Sequence, residues 1–217
     1  MAPGLTLVDG SFYPHAFTPR DLHDYQLFVA GRSQRMMDLA RGDRRHVTIR
    51  HDVDHDLTHA LSFAQWERRH NIRSTYFLLP TAPYWKLPST KWQAQQLQAL
   101  GHEVGLHSDP FGHDDPPAVW MAKSLREMRD WGIEVWGAAD HGGTSKIPSG
   151  EFWDVYQPWE FGLEYEAYLL QREQNVDYRS DNRGQKLDWH PETTGLKPIV
   201  LLLHPEHWEL RWKQHGV

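Results

Sequence analysis

The sequence predicts an α/β fold built on a parallel sheet. Three observations carry that expectation. Short apolar runs alternate with amphipathic helical segments. Glycines stand where successive helices must stop, at Gly42, Gly101 and Gly132. Histidines and carboxylates gather at the ends of the apolar runs, and in folds of this class binding sites form at the carboxyl ends of the strands.

The elements follow in order. Residues 18–41 read as a helix, with Thr18 as N-cap and Pro19 at the first helical position. Leu22, Tyr25, Leu27, Phe28, Met36, Met37 and Leu39 supply its apolar pattern. Residues 47–53 read as a strand and 57–70 as a helix with Leu57, Ala60, Leu61, Ala64 and Trp66 on its apolar positions. A strand at 74–80, a helix at 90–100, a strand at 102–107, a helix at 116–131 and a strand at 133–138 continue the alternation. The stretch 139–177 has no clear period. Strands are expected at 178–181 and 198–204, and a closing helix at 207–214. No linker splits the chain. One domain is expected over 1–217, with a helical lead-in at 1–44 and a core at 45–208.

Composition narrows the chemistry. The 217 residues include no cysteine, which excludes disulfides, thiolate metal sites and a cysteine nucleophile. A metal must be held by His, Asp or Glu. The net charge of −6 and the lack of a long basic block argue against nucleic acid as a partner. The longest aliphatic run, Ile199 to Leu203, is far short of the roughly 20 residues of a membrane span. The first residues lack a basic start and an apolar core, so the expected location is cytoplasmic. The 15 His and 11 Trp are high counts. Core packing is the expected role for most of the tryptophans, with a sugar or aromatic substrate site as the alternative.

Four clusters stand at strand ends. The first is Arg50-His51-Asp52-Val53-Asp54-His55-Asp56. Residues two apart share a strand face, so Arg50, Asp52 and Asp54 point one way and His51 and Val53 the other. Two carboxylates close together on a buried face call for a cation. The second cluster carries His107 and His113 on either side of a short loop. Two imidazoles and one carboxylate suit zinc or another divalent ion, with positions left open for water and substrate. The third is Asp140-His141-Gly142-Gly143-Thr144, with glycines that permit a tight turn. The fourth is His204, ending the run Pro198 to Leu203. A histidine with an ordinary pKa near 6.5 suits proton transfer at neutral pH.

In this order the clusters resemble the polysaccharide deacetylase family (NodB-like, carbohydrate esterase family 4), over roughly residues 45–208. The resemblance implies a distorted (β/α) barrel of the (β/α)7 type and a divalent metal, zinc first, with cobalt, manganese or nickel as alternatives. It implies hydrolysis of acetyl groups on sugars. Asp52-Val53-Asp54 matches the acid pair, making Asp52 the catalytic base and Asp54 a metal ligand. Gly101-His-Glu-Val-Gly-Leu-His107-Ser108 matches the second motif, making His107 and His113 the imidazole ligands. His204 matches the general acid. The chain departs from the pattern in two places. His113 follows His107 by six residues where the family has four, so Asp109 and His55 stand as substitutes. The family's arginine motif is missing, and Asp140-His141-Gly142-Gly143 stands in its place. Arg50, on the face of Asp52, is the candidate to touch the base. Asp181 is preferred over Asp188 as the residue that orients His204. Arg50, His141 and Arg183 are the candidate substrate-binding residues.

The expected activity is metal-dependent removal of an acetyl or other acyl group from an N-acetylated sugar or similar small amide. The alternatives are a metal-independent or other amide hydrolase of the same fold, or a catalytically inactive glycan-binding relative. The partner is then a small molecule or glycan, with no nucleic acid and no membrane. The oligomeric state is left open.

Overall fold

The computed structural model describes residues 17–44, 46–111, 113–142, 150–181, 187, 189, 197–208 and 210. Their centre is strand β2 (Val47–Val53), buried along its whole length. Its alternation divides the molecule. Val47 and Ile49 pack outward with Phe63, and Val53 packs with Leu57 and Ala60, all three partners lying on helix α3 (Leu57–Arg69). Thr48, Arg50 and Asp52 face inward by the same period.

Among the described residues all strand pairs are parallel. The remaining strands are β1 (Ser33–Gln34), β3 (Thr75–Leu78), β4 (Glu103–Ser108), β5 (Gly137–Asp140), β6 (Tyr165–Glu166), β7 (Asp177–Ser180) and β8 (Ile199–Leu203). The sheet runs β6-β5-β4-β3-β2-β8-β7, and β1 adds to the start of β2. The curled half-barrel is the expected distorted (β/α) barrel, with β6 and β7 as its open ends among the described residues. Helices α4 (Thr90–Ala99) and α5 (Pro117–Asp130) cover β3 and β4 through Leu97, Met121, Leu125 and Met128. The last helices are α6 (Gly150–Val155) and α7 (Ala167–Gln174).

The inside of the curl is closed at the amino ends of the strands by α2 (Met36–Ala40). Its Met36, Met37 and Leu39 pack with Phe77, Ala139, Tyr165 and Val200. The first N–H groups of a helix need outside acceptors. Met36 N–H donates to Thr75 Oγ1 (2.8 Å) and Met37 N–H to Glu103 Oε2 (2.9 Å). Glu103 also accepts from the hydroxyls of Thr75 and Tyr165. Tyr165 lies where a side chain on Gly137 would sit, and Phe77 does the same to Gly105. Two glycines are therefore the room that two rings occupy.

Behind β2 a buried carboxylate ties four elements together. Glu67 of α3 accepts from Tyr25 of α1 (Pro19–Val29) at 2.5 Å, from His51 at 2.9 Å, from Ser74 at 2.6 Å and from Tyr76 at 2.8 Å. Burial alone would raise its pKa, but the neighbouring His51 and the other donors outweigh burial and hold it at about 2. At the chain's other seam Phe17 stacks on Trp208 with ring centroids 4.3 Å apart.

The structure corrects three expectations. The helix foreseen at 18–41 is α1 and α2 with β1 between them. Gly31 takes a left-handed φ of 68°, and Ser33-Gln34 then pairs with Val47-Thr48. The strand foreseen at 133–138 starts later, at Gly137, because Ile133 and Val135 pack against the outer helices while still in extended coil. The closing helix foreseen at 207–214 begins instead as a 3-10 turn, Pro205–His207, followed by a bridge from Trp208 to Phe17. Residues 209 and 211–214 lie outside the described residues. Among the described residues no helix is long and apolar enough to cross a membrane.

Candidate active site

The carboxyl ends of β2, β4, β5 and β8 meet at one end of the curl. Asp52 is held from its own strand. Arg50 Nε and Nη2 donate to the two Asp52 oxygens, each at 2.7 Å. A fork of this kind fixes both the position and the charge of a carboxylate. Both side chains are buried, Arg50 completely. The guanidinium lies 4.5 Å over the ring of Tyr168 and 5.4 Å over that of Phe77. Burial pushes the Asp52 pKa up, the Arg50 charge pulls it down, and the net shift is downward.

His107, at the end of β4, faces both acids. Its Nδ1 lies 2.8 Å from the carbonyl of Ala139. A carbonyl only accepts, so Nδ1 carries the proton and Nε2 of the neutral ring keeps its lone pair. That Nε2 stands 3.4 Å from Asp52 Oδ2 and 3.3 Å from Asp54 Oδ1. A lone pair aimed between two carboxylates needs a cation, either a proton or a metal ion. His141, just past β5, lies edge-on to His107 with ring centroids 5.0 Å apart. Ligand atoms of Asp54, His107 and His141 all lie within 4.8 Å of one another. The arrangement has the tautomer, the backbone-anchored Nδ1 and the mixed O/N donor set that a divalent ion requires.

His204 closes the site from β8. Its Nδ1 donates to Asp181 Oδ1 at 2.6 Å, and its backbone N–H bonds the same carboxylate. Trp208 Nε1 donates to the other oxygen at 3.0 Å. His204 Nε2 points back toward Asp54 Oδ2, 3.8 Å away. Burial works against the imidazolium, but the Asp181 hydrogen bond and charge outweigh it and hold the His204 pKa up at about 10. Asp181 is correspondingly lowered to about 2, its burial overcome by His204 and His207.

A cleft of about 730 Å³ opens beside this group, lined by Asp140, His141, Trp153, Glu166, Tyr168 and Tyr178 among others. Asp140 accepts from Ser108 (2.7 Å) and from Trp153 Nε1 (2.6 Å). Glu166 caps α7 through Leu169 N–H (2.8 Å). Burial and the nearby Asp140 push its pKa up to about 7. The stretch 139–177 thus splits its aromatic residues. Trp153 and Tyr168 line the cleft, Tyr165 fills the barrel, and Trp159 is exposed.

Asp52, Asp54, His107, His204 and Asp181 come together. His113 does not join them. Its Nε2 meets the carbonyl of Asp109 at 2.6 Å and its ring stacks on Trp120. The six-residue spacing carries it off the site, and His141 stands with Asp54 and His107 instead. His141 is expected as a substrate-binding residue, and its place beside Asp54 and His107 puts it among the candidate metal donors as well. The clue was available: Asp140-His141 ends a strand in the same way as His107-Ser108. Arg50, expected both to touch the base and to bind substrate, contacts Asp52 and is completely buried behind it. Arg183 and Asp188 lie outside the described residues. Sequence reasoning missed Glu206, two residues past His204, whose Oε2 is buried without a hydrogen-bond partner. Its only signal was its place beside His204.

No protein-family model matches the chain, and no curated protein matches it. Solved structures do. A family 4 carbohydrate esterase from Bacillus anthracis is 18% identical, with a TM-score of 0.51 over 78% of this chain and 76% of that one. The chitin deacetylase of the fungal pathogen Colletotrichum lindemuthianum is 15% identical over 74% of each chain, with a TM-score of 0.42. A CE4 family pseudoenzyme from Bacillus anthracis is 15% identical, with a TM-score of 0.40 over 73% of this chain and 54% of that one. The first of these establishes the fold: it is that of a family 4 carbohydrate esterase.

Proposed function

We propose that this chain is a metal-dependent hydrolase that removes an acetyl or other acyl group from an N-acetylated sugar or a similar small amide. One observation carries the reading. The lone pair of His107 Nε2 is aimed between the carboxylates of Asp52 and Asp54, with His141 completing a donor set. The shared fold with a carbohydrate esterase supports it.

Asp54, His107 and His141 would hold the divalent ion, which is zinc by the preference of such donors. When bound, such an ion acidifies water and polarises an acyl carbonyl. The chain's own residues do the rest. Arg50 keeps Asp52 ionised and points its free lone pairs into the site, so Asp52 accepts the proton of the attacking water. His204, kept protonated by Asp181, stands across Asp54 from His107 and donates a proton to the departing amine. Asp181 fixes the ring so that Nε2 carries that proton inward. The lining of Trp153, Tyr168 and Tyr178 offers flat faces to a sugar ring.

The test is metal content after dialysis, read beside acetate release from a panel of N-acetylated sugars. A divalent ion should be present in the wild type, be lost from its site in His107→Ala and in His141→Ala, and be kept in His113→Ala. Asp52→Asn should keep the metal and lose nearly all turnover. A protein that takes up no zinc, cobalt or manganese would sink the reading. Asp52→Asn with near-normal turnover would remove Asp52 as base.

A further inference from the structure

A second group of donors shares Asp54 with the first. Ligand atoms of Asp54, His55 and Glu206 all lie within 4.8 Å of one another. Glu206 comes from the 3-10 turn Pro205–His207 that follows β8, and His55 from the bend after β2. The two elements are held together by the pairing of β2 with β8, His51 opposite Leu203. The placement is therefore built by the sheet and not by a loose loop.

Two atoms in this group are buried with no hydrogen-bond partner: Glu206 Oε2 and Asp54 Oδ1. A buried carboxylate oxygen without a donor is costly, and one facing a second carboxylate more so. Arg50 donates to Asp52 and His204 Nδ1 to Asp181, while the Nε2 atoms of His107 and His204 face Asp54 at 3.3 and 3.8 Å, which leaves Glu206 Oε2 as the oxygen with no donor. An imidazole and two carboxylates around one point are what a divalent transition-metal ion takes.

We propose that Asp54, His55 and Glu206 form a second divalent-cation site, with Asp54 bridging it to the ion at His107 and His141. The reading rests on the first site, because the bridge needs both. Asp54 then has one role that a single-ion site does not give it: it sets the separation of two ions. Glu206 binds the ion directly and is not a positioning residue for His204.

The experiment is calorimetric titration of the chelator-stripped full chain with zinc, repeated with manganese. The wild type should take two ions per chain. Glu206→Gln, close in size and shape, should take one, and His55→Ala one. His107→Ala should lose the other ion. Circular dichroism and melting of each variant exclude loss of fold as the cause. A wild type that takes one ion, unchanged in Glu206→Gln and His55→Ala but lost in His107→Ala, overturns the second site and leaves the first standing. It would mean that a proton, not a metal, lies between Glu206 and Asp54. One ion lost in Glu206→Gln and kept in His107→Ala overturns the first site, and the bridge with it.

Discussion

At the scale of the residue, Arg50 and Asp52 dominate. Their ion pair is buried, so removing one charge leaves the other stranded in the core. Arg50→Met should lower stability by about 3–5 kcal/mol in denaturant unfolding, and adding Asp52→Asn should recover part of the loss. Independent, additive effects would show that the pair is not coupled. The Asp181–His204 pair sets a pH window. The His204 pKa rises from 6.5 to about 10 on folding, so its stabilisation is complete below pH 6.5 and is lost as pH rises through 10. The Asp181 pKa falls from 3.8 to about 2, so its part is complete above pH 3.8 and is lost as pH falls through 2. Chelator-stripped protein should therefore lose stability on the alkaline side, and Asp181→Asn should flatten that limb. An unchanged alkaline limb in the variant would contradict the pairing. Asp52, Asp54, His107 and His204 were legible because each ends an apolar run. His141 was legible as a strand-end residue but not as the neighbour of His107 in place of His113, because spacing along one loop says nothing about a neighbouring strand.

At the scale of the element, the strands and helices from 47 to 130 were readable because their periods are clean and their glycine stops are real. The break at Gly31 was not. Leu27, Phe28, Met36 and Met37 keep a helical rhythm across it, while a two-residue strand carries no period at all. The inward glycines make the sharper prediction. Gly105→Ala and Gly137→Ala press a methyl group into the rings of Phe77 and Tyr165 and should each reduce stability by about 1–3 kcal/mol. Gly142→Ala meets nothing within 4 Å and serves as the control. Equal melting temperatures for all three would show that the rings have room to shift.

At the scale of the molecule, the half-barrel is held by ties that cross between distant segments. Trp208 stacks on Phe17, packs beside Tyr25 and Phe63, and donates to Asp181. Trp208→Ala should cost about 3–5 kcal/mol, and it should loosen His204 as well. Full activity at lowered stability would separate the two roles. Glu67 ties α1, α3, β2 and β3, and its pKa drops from 4.5 to about 2 on folding. Its contribution is present above pH 4.5 and is lost as pH falls through 2, so Glu67→Gln should shrink the acid limb of the unfolding curve. None of these ties could be seen in the sequence, because each joins residues that no local period connects. The Arg50–Asp52 pair is different, since both charges belong to one strand. They enter the interior in a single event, when β2 docks between β3 and β8. Assembly of the chain never has to carry a lone charge into the closing core while a distant loop searches for it.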